Sequence, residues 1–413
     1  MKRALLVAFH FPPVKGSSGV QRALKISRYL REGGWDCDVL TVWPRAYQRT
    51  GDDEIADIPH DVDVVRAFAL DAKRHLSLFG KYPSLAATPD RWASWYPDGV
   101  RRGRAMLKRR SYDLIWSTYP IATAHRIALA LAATSGLPWV ADCRDTMSEP
   151  GYPSDPRVFR AVRKLEHRVV HEASAVTFTA PGARDMYAQR YPQLPASRWR
   201  LIQNGYDEQA FTGLSPRAND AETTELTLVH AGILYPNERD PLPFFRALAN
   251  LKSNGFFDQR SVRVVLRATG HDDYFKPFLR EFGIGDIVHL APGVPYRDAL
   301  QEMIQADGLL IFQAANCNHQ IPAKAYEYLR AGRPIMALTD PAGDTARLLA
   351  DNGVDCFARL DDQQAIEQQF VRFVEAVSAP SHEPLYPDAG RYSRRAQTLD
   401  LAALFNELIK NQR

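Results

Sequence analysis

The feature that most constrains the fold of this chain is an alternation of short apolar runs with longer amphipathic stretches, laid out once in the first half and begun again in the second. Alternation of this kind builds parallel sheets whose strands are joined by crossover helices. In the first half, strands are expected at 4–9, 37–42, 62–67, 114–118, 139–142 and 175–179. The first helix is expected over 20–33, where Leu24, Ile26 and Leu30 recur at helical spacing. The second half places strands at 226–231, 262–269, 288–290, 308–312 and 335–338, with helices over 241–253, 274–282 and 297–305. Between the halves lies a polar break containing Pro216, Asn219 and Asp220. At 413 residues the chain exceeds the size at which one core keeps growing, so two α/β domains of about 200 residues each are expected. Residues 393–410 read as a final amphipathic helix, and 71–97 as an irregular region rich in aromatics and prolines.

Composition excludes several classes. A hydrophobic share of 45% with 24% charged residues is that of a soluble globular protein. No apolar run approaches the roughly 20 residues that span a bilayer. The apolar run at 4–9 passes straight into His10, Phe11, Pro12 and Pro13 without a small-residue cleavage site, so it reads as a first strand, and a cytoplasmic protein is expected. Cys37, Cys143, Cys317 and Cys356 lack the paired spacing of a zinc site or disulfide framework and read as reduced thiols. A net charge of +4 is too mild to imply nucleic acid. Arg101, Arg102, Arg104, Lys108, Arg109 and Arg110 crowd together, however, just after Trp92, Trp95 and Tyr96. On a helix they make a basic face, suited either to solvent or to peripheral contact with an anionic membrane.

The most specific local pattern is Ile321-Pro-Ala-Lys-Ala-Tyr-Glu-Tyr-Leu-Arg-Ala-Gly-Arg-Pro-Ile335. Pro322 suits a first helical position, and Gly332 followed by Pro334 suits a helix stop. Lys324 and Glu327 are then i and i+3 neighbours near the positive end of a helix. A lysine beside free backbone N–H groups can hold a diphosphate, and a carboxylate one turn on can accept two hydrogen bonds from a ribose diol. A surface helix with an ordinary ion pair is the alternative. The pattern resembles the donor-site segment of retaining GT-B glycosyltransferases of the family-4 type, and further motifs follow in the same order. Gly16, Ser17, Ser18 and Gly19 open the first helix; Asn204, Gly205, Asp207 and Phe211 match an N-G-x-D-x-x-x-F junction; Gly232 begins a loop carrying Arg239.

The resemblance implies two Rossmann-like domains facing across a cleft, divided 1–205 and 206–392, with 393–413 as a helix crossing back. It implies a nucleotide-sugar co-substrate, no other cofactor and no metal, and transfer with retention to a glycan, lipid-linked or small-molecule acceptor. Glu327 would grip the ribose, with Lys324 and Arg239 on the diphosphate and Gly16–Gly19 facing the donor. Gly232, Val294, Pro295, His319, Gln320 and Ile321 would line the donor site. Arg144 and Asp145 stand where the family often has a His-Asp pair; they read either as sugar-side and catalytic groups or as a loop salt bridge. The sequence departs from the family at Ile233, where an arginine is usual, and at His319, where a glutamate is usual. Arg239 paired to Asp240 in solvent, a sugar-nucleotide epimerase and a non-catalytic GT-B scaffold are the alternatives.

Overall fold

The computed structural model describes all residues except 16–18, 53, 78, 80–81, 83–86, 217–224, 379–384 and 412–413. Two compact units emerge: Met1–Asn204 together with Arg394–Arg413, and Gly205–Ser393. In unit 1 the strands are β1 (Lys2–Ala8), β2 (Trp35–Val42), β3 (Val64–Ala67), β4 (Leu114–Thr118), β5 (Trp139–Cys143), β6 (Ala175–Phe178) and β7 (Trp199–Leu201). They form a parallel sheet in the order β3-β2-β1-β4-β5-β6-β7. Unit 2 holds β8 (Leu226–Ala231), β9 (Val262–Arg267), β10 (Val288–Ala291), β11 (Gly308–Phe312), β12 (Ile335–Leu338) and β13 (Cys356–Ala358). Their order is β10-β9-β8-β11-β12-β13, again parallel. In each sheet the strand order reverses at one point, between β1 and β4 and between β8 and β11, and open α/β sheets bind ligands beyond the strand ends there.

The central strands are apolar throughout because both sheet faces are covered. In β1, Leu5 and Val7 enter one core, while Ala4, Leu6 and Ala8 enter another on the opposite face. That second core is closed by the helix Arg394–Lys410, which contributes Leu401, Ala402, Leu404 and Phe405. Phe405 meets Trp35 edge-on at 5.3 Å, and a Cβ on Gly33 would lie 2.4 Å from that of Ala402, so only glycine admits the helix at this distance. The last helix of the sequence is therefore part of the first unit's interior. Truncation at Phe405 removes a fully buried ring, so Phe405→Ala should cost about 3–5 kcal/mol in a urea melt.

Several sequence expectations shift by a turn. The first helix spans Gly19–Tyr29 and tightens into a 3-10 turn, Leu30–Gly33, ended by Gly34 at φ 83°. Pro322 is the N-cap rather than the first residue of Ala323–Ala331, and its carbonyl accepts from Ala325 N–H at 3.0 Å. Pro241 likewise caps Leu242–Ser253 and does not open it. The stop is as expected: Gly332 is left-handed at φ 69° and donates to Tyr328 O. Two strands, β7 and β13, have no counterpart in the sequence reading, being three residues each. The irregular region ends earlier than expected, because a helix begins at Trp95 and runs to Arg109. Its basic residues are largely matched: Arg101 and Arg102 bind Asp98, Arg109 binds Asp63, and Arg110 binds Asp38 at 2.9 Å. Among the described residues no helix is long and apolar enough to cross a membrane.

Buried histidines give unit 1 a definite acid response. His125 is fully buried, with Nδ1 2.8 Å from Ser117 Oγ, and desolvation pushes its pKa down to about 4. The unfolded chain takes up this proton near pH 6.5, the folded protein only near pH 4. Between those values the unfolded state binds more protons, so stability falls as pH drops, by about 1.4 kcal/mol per unit for this one group. Urea melts from pH 4.5 to 7 should show the slope reduced by about one proton in His125→Gln.

Candidate functional site

In unit 1 the residues at the strand ends are organised by a buried ion pair. Asp142, at the end of β5, is fully buried and receives both Arg22 Nε at 3.0 Å and Arg22 Nη2 at 2.7 Å. Thr118 and Thr177, from the flanking strands, donate to the same carboxylate at 2.8 and 2.7 Å. These contacts, the guanidinium above all, hold the Asp142 carboxyl below its usual range despite burial. Arg22 also donates to the carbonyls of Ile202 and Gln203, so it fastens the chain just before the unit ends at Asn204. Sequence reading missed Arg22, which sits unmarked in the first helix.

Arg144 lies beyond this pair. Its Nε donates to Tyr119 O at 2.6 Å, Nη2 is 3.4 Å from His10 Nδ1, and its backbone oxygen accepts from Thr179. A Cβ on Gly19 would fall 2.2 Å from Arg144 Nη1, so a side chain there would displace the guanidinium from its present course. Burial and the Arg144 charge push the His10 pKa down to about 3, keeping that ring neutral. Arg144 and Asp145 form no salt bridge, which removes the simplest structural reading of the pair; Asp145 is exposed. Gly16, Ser17 and Ser18 lie outside the described residues.

Unit 2 gathers most of the expected donor residues. The helix Ala323–Ala331 follows β11, and the loop after β8 reaches the same place, so both stand at the point where strand order reverses. Tyr328 OH accepts from Ala231 N–H at 2.9 Å and pins the helix to the end of β8. One turn earlier, Lys324 Nζ sits 2.9 Å from His230 Nε2. Gly232 has φ 118°, and a Cβ there would lie 2.9 Å from Lys324 Nζ. The positive φ favours glycine here, and a side chain would also shift the end of the lysine.

Lys324 makes no ion pair with Glu327, contrary to the ordinary surface-helix reading. Glu327 instead accepts from Tyr296 OH at 2.8 Å, and Tyr296 is delivered by Val294 and Pro295, the latter capping Tyr296–Gln305. Burial and the neighbouring Arg239 charge hold the Lys324 pKa well below the usual lysine range, partly offset by Glu327. Arg239 is not paired with Asp240, whose carboxylate caps Leu242 N–H at 3.1 Å. Its Nη1 reaches Ile233 O at 3.4 Å, its guanidinium lies over Tyr235, and its buried Nε has no partner among the described residues. Arg239 lies near enough to lower the Lys324 pKa, and neither group is ion-paired to a carboxylate among the described residues, which fits an anionic ligand that would hold both charged.

The segment 313–321 is shaped from beneath by Gln313, which belongs to no motif along the chain. Its buried amide donates to Cys317 O at 2.7 Å and Gln320 O at 3.0 Å, and Thr345 donates to its oxygen. Ile321 is buried below, whereas His319 and Gln320 are partly exposed. Metal independence, expected from the resemblance, must be set against two D-x-D spacings, Asp36/Asp38 and Asp61/Asp63. All four carboxylates are bound by arginines: Arg3 holds Asp36 and, with Arg110, Asp38; Arg31 holds Asp61 and Arg109 holds Asp63.

Two parallel Rossmann-like units of this order define the GT-B class of glycosyltransferase folds, and solved structures agree. Sucrose-phosphate synthase from Thermosynechococcus elongatus superposes with a TM-score of 0.68 at 14% identity, covering 100% of this chain and 99% of that one. HepE from Anabaena, solved in complex with UDP-glucose, gives 0.60 at 15% identity over 100% and 99%. A putative UDP-N-acetylglucosamine 2-epimerase from Listeria monocytogenes gives 0.59 at 10% identity over 100% and 98%. More particularly, residues 18–205 match the glycosyl transferase 4-like domain. No curated protein matches the sequence.

Removing one partner of the Asp142 pair leaves a buried carboxylate uncompensated. Arg22→Met should therefore destabilise the protein by about 3–5 kcal/mol in chemical denaturation.

Proposed function

We propose that this protein transfers a sugar from a nucleoside-diphosphate donor, UDP- or GDP-linked, to a hydroxyl of a glycan, lipid-linked or small-molecule acceptor, with retention and without a metal ion. The observation that carries this reading is the convergence of Lys324, Arg239 and Gly232 at the start of one helix, with Glu327 a turn further on. Lys324, Arg239 and the helix N-terminus would stabilise the departing diphosphate, where negative charge grows in the transition state. The bond between the anomeric carbon and the β-phosphate oxygen breaks as the acceptor oxygen bonds to that carbon on the same face. The acceptor proton passes to the leaving phosphate, so no separate base is needed. Glu327 would exchange its hydrogen bond from Tyr296 for the ribose hydroxyls, and the base would rest along Val294 and Pro295. Asp145, exposed at the end of β5, is suited to orienting the acceptor hydroxyl, and Arg144 to contacting sugar oxygens.

The likeness to the Listeria epimerase keeps one rival in view. An epimerase would exchange a ring proton with solvent, so deuterium appearing in the recovered nucleotide sugar would favour it. The transferase reading is tested by a thermal-shift and calorimetric screen of UDP, GDP, ADP and dTDP with their common sugars. One nucleotide should raise the melting temperature by mass action, and Glu327→Ala should weaken its binding about tenfold or more. An equal response from the variant would remove Glu327 from the site.

A further inference from the structure

His230 lies within β8, fully buried, beside the neighbouring strand β11. Its Nδ1 is 2.8 Å from Leu310 O. A carbonyl can only accept, so Nδ1 carries the hydrogen and Nε2 presents a lone pair. That lone pair faces Lys324 Nζ at 2.9 Å, so the ammonium donates to the ring. The ring is fixed on its other sides as well, its edge meeting Phe312 at a centroid distance of 5.1 Å.

A lysine on the first turn of a helix has a long flexible stem, and its nearest carboxylate is Glu327 at i+3. An acceptor held in the sheet draws the ammonium the other way, under Gly232, and leaves Glu327 to Tyr296. A neutral acceptor is suited to this task because a carboxylate in its place would cancel the charge a phosphate needs. Arg239, which also faces this group, is cationic and cannot accept.

We propose that His230 is a positioning residue for nucleoside-diphosphate binding: a neutral acceptor built into β8 that aims the Lys324 ammonium at the terminal phosphate and keeps it off Glu327. This rests on the reading of Lys324 as a diphosphate contact. It acts through Lys324 and touches no ligand.

Calorimetry on the full chain tests it, using whichever of UDP, GDP, ADP or dTDP the wild type binds, and the matching monophosphate. His230→Phe, which keeps the ring shape and removes the acceptor, should weaken the diphosphate about tenfold and leave the monophosphate within about twofold. His230→Gln, whose side-chain oxygen can accept in place of Nε2, should restore diphosphate binding to within about threefold. Lys324→Met should match His230→Phe, and the double variant should be no weaker than Lys324→Met alone. Unliganded melting temperatures report whether each variant folds; where His230→Phe does not, His230→Leu, which also lacks an acceptor, takes its place with the same two expectations. An equal loss of mono- and diphosphate in His230→Phe, or additive losses in the double variant, overturns the inference while the site reading stands. Unchanged diphosphate binding in Lys324→Met, or no diphosphate bound by wild type, overturns the site reading and the inference with it.

Discussion

The carboxylate of Asp142 is a full charge buried near the carboxyl end of β5, between two neighbouring strands of a parallel sheet, and unit 1 is arranged so that this charge is matched. Arg22 supplies two parallel hydrogen bonds and the threonines of the neighbouring strands supply two more. A buried pair of this kind adds little net stability over an apolar pair of the same shape, but breaking it is costly. What it fixes is geometry: the first helix is set against β5, and the segment leaving the unit is held by the same guanidinium. Arg144 and its loop are then built outward from a fixed point.

Unit 2 solves the same problem with a neutral group. Where β8 and β11 part, the buried partner is the His230 imidazole, and the charge it meets is on a helix that follows the next strand. Tyr328 ties that helix to the backbone of β8, so the lysine and the glycine loop are held to the strand end. The loop itself is fastened by Ala314 N–H to Glu238 O at 2.7 Å, which brings Arg239 to the same place. In the proposed reading Lys324 and Arg239 receive the donor's diphosphate; Ile233 is exposed and His319 partly so.

Much of this was legible along the chain. The central strands announce themselves as continuous apolar runs because both sheet faces are covered. The helix bearing Lys324 and Glu327 is bracketed by a proline and a left-handed glycine that have the same meaning in any fold. The three-residue strands β7 and β13 carried no such signal, since they are held by neighbours and not by their own pattern. Arg22, His230 and Gln313 were invisible for a related reason. Arg22 and His230 sit inside an ordinary helix and an ordinary strand, Gln313 directly follows β11, and they act through partners 120, 94 and 32 positions away.

Two parallel α/β units and a helix whose N-terminal turn offers a lysine and a carboxylate can be read along the chain. Local periodicity and backbone stereochemistry suffice for these, because they act over a few residues. Folding decides that Lys324 turns away from Glu327 toward His230, that charged side-chain ends pass beside Gly19 and Gly232, and which residues of the helix that crosses back, Leu401 and Phe405 among them, enter the first core. Those outcomes depend on which groups are desolvated together, and burial is a property of the folded chain that no short stretch of residues contains.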